Sequence, residues 1–171
     1  MKERQGLVTF QGNPLTLLGD PLERGMVAPQ VNLIGNDLNA ASLDSYKGKV
    51  LILATVPSLD TSVCSEETKR FNQEAEALPG GVELVVVSMD LPFAQQRWGK
   101  EHNATHITLL SDHKDASLGQ SFGVLIKELR LLARAVFVMD AGGKVTYTEL
   151  VKEMTDPPDY ESALKAARET V

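Results

Sequence analysis

Apolar positions change their period several times along this chain, and each change marks an element. Val50-Leu51-Ile52-Leu53-Ala54-Thr55-Val56 and the run Val82–Ser88 are nearly continuous in aliphatic and β-branched residues. Such runs predict strands covered on both faces, because a strand with one wet face alternates apolar with polar. Between them the period lengthens. Phe71, Ala75 and Leu78 stand four and three apart, one face of an amphipathic helix predicted over Ser65–Leu78. Pro79-Gly80-Gly81 ends it. Phe93–His102 is predicted helical, Ile107–Leu110 a short strand, and Asp115–Phe122 a further helix.

The outer segments follow other patterns. Leu7–Phe10 and Leu15–Leu18 flank Gln11-Gly12-Asn13-Pro14, which predicts an N-terminal β-hairpin with Gly-Asn supplying the turn. Pro21, Gly25 and Pro29 interrupt any regular period before a short strand at Val31–Ile34. Ala135–Met139 and Val145–Thr148 enclose Asp140-Ala141-Gly142-Gly143-Lys144, a strong antiparallel hairpin signal. Pro157-Pro158-Asp159 opens a terminal helix reaching Thr170. Strand, helix, strand, helix, hairpin, helix predicts an α/β fold: a central mixed sheet with helices on both faces. No repeat or linker divides the chain, so residues 1–171 are expected to form one domain.

Composition narrows the function. A net charge of −6 without a Lys or Arg cluster argues against a nucleic-acid partner. No apolar run approaches the ~20 residues that span a bilayer. Met1–Gly6 leads into an alternating stretch and not an apolar signal core, so the expected location is cytoplasmic. The chain has a single cysteine, Cys64, and no intramolecular disulfide is possible.

Cys64 follows a buried strand and the turn-like stretch Pro57-Ser58-Leu59-Asp60-Thr61-Ser62-Val63, where a helix should begin. A thiol in the first turn of a helix meets unpaired N–H groups and the positive end of the dipole. Both favour the reactive anion. A lone cysteine is more often an inert small hydrophobe, and Thr61 and Pro57 alone could be a helix cap and a turn residue. Glu66 and Glu67 follow directly; they are expected to complement the helix N-terminus and point to solvent. His102 and His106 stand four apart, but the strand expected after them and the absence of a second cysteine predict solvated side chains and no metal site. Gly142-Gly143 is a hairpin turn and not a phosphate loop, and Trp98 is expected on a helix face.

Pro57, Thr61 and Cys64 in PSLDTSVC match the active-site pattern of the peroxiredoxins: Pro, three residues, Thr, two residues, Cys. FQGNPLTL (Phe10–Leu17), MDLPFAQQRW (Met89–Trp98) and LLARAVFVMD (Leu131–Asp140) resemble one branch, the bacterial thiol peroxidases. The resemblance spans nearly the whole chain. It implies a thioredoxin-like fold with extra N-terminal strands, and reduction of hydrogen peroxide and organic hydroperoxides, commonly as a homodimer without metal or cofactor. It also implies roles: Cys64 as the peroxidatic cysteine, Thr61 contacting thiolate and peroxide, Pro57 shielding the site, and Arg134 supporting the thiolate. One position departs from the pattern. Gly99 stands where most members of the branch carry a resolving cysteine, so recycling falls to an external thiol such as thioredoxin, glutaredoxin or a small thiol.

The chemistry sets a demand on such a site. Lowering a thiol pKa from ~8.5 to about 6 gains only about tenfold to thirtyfold in thiolate, and nucleophilicity falls with pKa. Most acceleration must come from aligning the peroxide and donating hydrogen bonds to its oxygens. Arg134, the Thr61 hydroxyl and backbone N–H groups near Cys64 are the expected donors. A rival reading is a redox sensor forming a mixed disulfide without sustained turnover. A cysteine hydrolase is the weaker rival, since no histidine lies in a motif presenting it to Cys64.

Overall fold

The computed structural model describes all residues, 1–171. β1 (Glu3–Phe10) and β2 (Asn13–Leu18) form the N-terminal hairpin; β3 (Leu33–Ile34) and β4 (Ala40–Ala41) are short. Then come β5 (Val50–Thr55), α1 (Ser62–Glu76), β6 (Val82–Ser88), α2 (Pro92–Glu101), β7 (Thr108–Ser111) and α3 (Ser117–Ser121). β8 (Leu125–Ile126), β9 (Leu131–Leu132), β10 (Ala135–Met139), β11 (Val145–Leu150) and α4 (Tyr160–Thr170) complete the chain. The seven-stranded main sheet runs β11-β10-β5-β6-β7-β3-β4, and β1-β2-β8-β9 make a second sheet. β5, β6 and β7 pair in parallel while β10 is antiparallel to β5, so the main sheet is mixed.

Period-2 alternation of the central strands divides the core. Leu51, Leu53, Val85, Val87, Phe137 and Met139 face one side, where Val8, Leu17, Leu118 and Phe122 cover them. Val50, Ile52, Leu84, Val86, Val136 and Val138 face the other, under Phe71 of α1, Trp98 of α2 and Leu164 of α4. Continuous apolar runs were the sequence signature of that two-sided cover. No helix is long and apolar enough to cross a membrane.

Several boundaries differ from the sequence expectation, and capping explains where α1 and α4 begin. α1 starts at Ser62 because the Thr61 side chain accepts from the Cys64 N–H, so the helix begins earlier than the apolar stripe alone indicates. α4 starts at Tyr160, capped by Asp159 on the Ser162 N–H; Pro157 and Pro158 precede the helix. α3 is only Ser117–Ser121. The hairpin turn is Gln11-Gly12, not Gly-Asn. Phe10 pairs with Asn13 across it, and φ is +50° at Gln11 and +82° at Gly12. Positive φ at both central residues gives the turn twist that matches paired strands.

Candidate active site

Cys64 occupies the first turn of α1, and its position follows from strand and cap. β5 ends at Thr55, the chain turns through Pro57–Asp60, and Thr61 caps the helix. Thr61 Oγ1 donates to the Ser58 carbonyl at 3.0 Å and accepts from the Cys64 N–H at 3.4 Å. The hydroxyl proton therefore points into the turn and not at the sulfur. Pro57 is buried beneath this turn.

Arg134 arrives from the neighbouring strand. Ala135 of β10 pairs with Thr55 of β5, which sets Arg134 beside the chain leaving β5. It shares the side-chain parity of Val136 and Val138, the face that α1 covers. Its guanidinium is thereby directed at the start of α1. Nη2 donates to Cys64 Sγ at 3.3 Å and to the Met154 carbonyl at 2.7 Å, while Nη1 donates to Glu67 Oε1 at 2.8 Å. Cys64 and Glu67 are 0 % exposed and Arg134 1 %. Burial works against the cation, but the Glu67 carboxylate and the Cys64 sulfur outweigh it and hold the guanidinium above its usual pKa.

Glu67 corrects an expectation. It does not point to solvent with Glu66; it lies inside, paired with Arg134. Its burial raises the carboxyl to about 7, with Arg134 pulling the other way. The signal was present in the sequence. Cys64, Glu67, Thr68 and Phe71 are the buried residues of α1, at the three-and-four spacing that continues the Phe71-Ala75-Leu78 stripe toward the N-terminus. A carboxylate inside an apolar stripe needs a buried counter-charge, and Arg134 is that charge. Glu67 Oε2 and Arg134 Nε have no protein partner.

The Pro57–Thr61 turn has its own anchor in Asp90, just past the end of β6. Asp90 Oδ1 accepts from Ser58 Oγ at 2.7 Å, and Oδ2 from the Leu59 N–H at 2.8 Å and Ser88 Oγ at 2.7 Å. Leu59 is buried, so Asp90→Ala strands its N–H. The expected cost is about 1–3 kcal/mol, read from the urea midpoint, together with slower oxidation of Cys64. An unchanged midpoint would show that the turn holds itself. Trp98, expected on a helix face, lies on the inner face of α2 and donates from Nε1 to Ser65 Oγ at 3.1 Å. Gly99, the next residue, has space for a Cβ, whose nearest neighbour would be Leu109 Cδ1 at 3.6 Å.

The structure thus brings Pro57, Thr61, Cys64 and Arg134 to one place, at the C-terminal ends of the parallel strands. No group of three or more His, Cys, Asp or Glu side chains is arranged to hold a metal ion. A buried sulfur with a guanidinium donating to it, at a helix N-terminus, is an arrangement for a thiolate that gives electrons to an oxidant.

The family model that describes Redoxin matches residues 23–164, and the chain belongs to that family. A thiol peroxidase of Halalkalibacterium halodurans is 52% identical over 161 residues, covering 94% of this chain and 96% of its own. A thiol peroxidase of Bacillus subtilis is 49% identical over 164 residues, covering 96% and 98%. Among solved structures, a peroxiredoxin-like protein from Aquifex aeolicus superposes with a TM-score of 0.91 at 40% identity over 100% of both chains. A thiol peroxidase from Chromobacterium violaceum shares the fold, with a TM-score of 0.85 at 24% identity over 95% of each chain.

Proposed function

We propose that this chain is a thiol-dependent peroxidase that reduces hydrogen peroxide and organic hydroperoxides from Cys64. The observation that carries the reading is the 3.3 Å contact of Arg134 Nη2 with Cys64 Sγ in the first turn of α1. Relatives at about half identity along nearly the whole chain carry the name thiol peroxidase, which supports it.

The first half reaction is a displacement at oxygen. The Cys64 sulfur attacks one peroxide oxygen, the O–O bond breaks, and the other oxygen leaves with the electron pair and takes a proton as water or alcohol. A sulfenic acid remains on Cys64. Arg134 stays cationic throughout, and its Nε–H, free of a protein acceptor, is a donor for the developing negative charge. Thr61 sets the turn and helix start; turning its hydroxyl to the peroxide means releasing the Ser58 carbonyl. Pro57 closes the floor of the site. The sulfur has no exposed surface, so a hydroperoxide reaches it when the Pro57–Val63 segment yields. A depression lined by Ser62, Val63, Glu66, Thr155, Pro157 and Tyr160 borders that segment.

The second half reaction is intermolecular. With a single cysteine in the chain, no other cysteine of the same chain can condense with the sulfenic acid. An external thiol displaces water to give a mixed disulfide, and a second thiol releases Cys64 with formation of its own disulfide. Thioredoxin, glutaredoxin and small thiols all supply that chemistry. The reading includes one catalytic domain over residues 1–171, a cytoplasmic location where such thiols are reduced, and a homodimer, for which exposed Leu91 and Phe93 offer apolar surface.

Stoichiometric hydroperoxide should add one oxygen to the Cys64 peptide by mass spectrometry, and excess peroxide with a thioredoxin or glutathione system should turn over many times. A single slow stoichiometric oxidation without turnover would favour a redox sensor that forms a mixed disulfide with a partner.

A further inference from the structure

The third partner of the Arg134 guanidinium is a backbone carbonyl, that of Met154, and the N-terminal hairpin decides where that carbonyl stands. Thr9 of β1 brackets the segment: its N–H donates to the Lys152 carbonyl at 2.6 Å, and its carbonyl accepts from the Met154 N–H at 2.8 Å. Between those bonds sits Glu153, whose carboxylate collects five donors. Oε1 accepts from Thr9 Oγ1 at 2.9 Å and the Gly12 N–H at 2.8 Å. Oε2 accepts from the Gln11 N–H at 3.2 Å, the Thr155 N–H at 3.0 Å and Thr155 Oγ1 at 2.9 Å.

The hairpin turn is shaped for this. Positive φ at Gln11 and Gly12 lets two successive N–H groups converge on one anion, a small nest in the backbone. Bonds from the Thr155 and Gly12 N–H groups hold the Glu153 carboxyl down at about 2, so it is ionised throughout the neutral range. On its other side the segment grips Arg134 twice. The Val151 N–H donates to the Arg134 carbonyl at 2.9 Å, and the Met154 carbonyl accepts from Nη2 at 2.7 Å. That same Nη2 faces Cys64 Sγ. The path from hairpin to sulfur is short and contiguous: turn, Glu153, Met154 carbonyl, Arg134, Cys64.

We infer that Glu153 is a positioning residue for the peroxidase site: by seating the Lys152–Met154 segment on the Gln11-Gly12 turn, it holds the Met154 carbonyl on Arg134 and so aims the guanidinium at Cys64. The inference rests on the peroxidase reading above, and it gives the N-terminal hairpin a part in the chemistry. Without Glu153 only the two Thr9 backbone bonds hold the segment to the hairpin, the Met154 carbonyl gains freedom, and the guanidinium is held less firmly on Cys64. Small displacements of this kind are costly where alignment supplies most of the rate.

The test compares wild type, Glu153→Gln and Glu153→Ala in the full chain. Two quantities are followed: the second-order rate of Cys64 oxidation by hydrogen peroxide in stopped flow, and the thiolate titration of Cys64 by absorbance near 240 nm. Glu153→Ala should slow oxidation about tenfold and move the thiolate titration to higher pH, with Glu153→Gln between the two because one carbonyl oxygen remains. A merely structural staple would lower the unfolding midpoint and leave both readouts of the folded protein unchanged; that result overturns the inference. The Arg134→Lys background adds a second criterion. If Glu153 acts through Arg134, Glu153→Ala causes little further slowing there, whereas independent, multiplying losses overturn it. Should Glu153→Ala fail to fold, Glu153→Gln carries the same comparison, and wild-type behaviour in both readouts overturns the inference. A wild-type Cys64 that does not react with peroxide would remove the peroxidase reading instead, leaving the thiolate titration to decide this one.

Discussion

Cys64→Ser consumes no hydroperoxide above the uncatalysed background, whatever thiol system is supplied. The substitution removes one atom's chemistry and little else. A serine hydroxyl can keep the hydrogen bond from Arg134 and the helix start set by Thr61, so the fold should survive with a midpoint shifted by about 1 kcal/mol or less. What disappears is a polarisable sulfur that attacks a peroxide oxygen and keeps it as a sulfenic acid. The chain has no other cysteine to take over. The measurement is peroxide loss over time with a reductant present, beside circular dichroism to show that the variant is folded. Consumption at the wild-type rate would mean that Cys64 is not the nucleophile.

Arg134→Leu should be the most damaging substitution for stability and activity together. Leucine removes the donor to Cys64 and leaves Glu67 as a fully buried carboxylate without its cation. Breaking one side of a buried ion pair costs about 3–5 kcal/mol. The loss should depend on pH, and its sign follows from Glu67. The folded-state pKa of this carboxyl is raised to about 7 from an ordinary 4.5, so the folded protein binds the extra proton between those values. Its contribution to stability is full below about 4.5 and declines as pH rises through 7. Arg134 lowers the Glu67 value, so its removal extends the window upward. Urea midpoints of Arg134→Leu should therefore lie closer to wild type at pH 5 than at pH 8, and Glu67→Gln added to it should recover part of the pH 8 deficit. A deficit independent of pH would assign the damage to lost packing of the arginine. Peroxide oxidation of Cys64 should fall by at least about a hundredfold, the scale of losing one preorganised donor at a developing charge.

The elements with strong periodicity were readable because local pattern and burial coincide. β5 and β6 have side chains in both halves of the core, and nothing but a nearly continuous apolar run satisfies that. The Ala135–Leu150 hairpin was equally legible from its Asp-Ala-Gly-Gly turn. The short pairs β8 and β9, two residues each, carry no periodic signal, and they exist only because β2 offers Leu125 and Ile126 an edge to pair with. The Asp115–Phe122 expectation overruns α3, which is five residues long with Asp112 accepting from the Leu118 and Gly119 N–H groups.

For the site, the sequence by itself determined the position of the one candidate nucleophile and its local setting. One cysteine after a strand, a threonine three residues earlier to cap a helix, and a proline in the preceding turn are all short-range facts, fixed by adjacency along the chain. Which charges reach that sulfur is a different matter. Glu67 met its counter-charge, Met154 lent a carbonyl, and Glu153 came to rest on the Gln11-Gly12 turn only through contacts spanning 67, 20 and 142 positions of sequence: Arg134 with Glu67, Arg134 with Met154, and Gln11 with Glu153. Sheet register decided these: the pairing of Ala135 with Thr55 sets Arg134 beside α1, and a shift of one residue would turn its side chain to the opposite face. Identity and local conformation are encoded by neighbours in the chain, whereas the electrostatics of a buried group depend on every element packed around it.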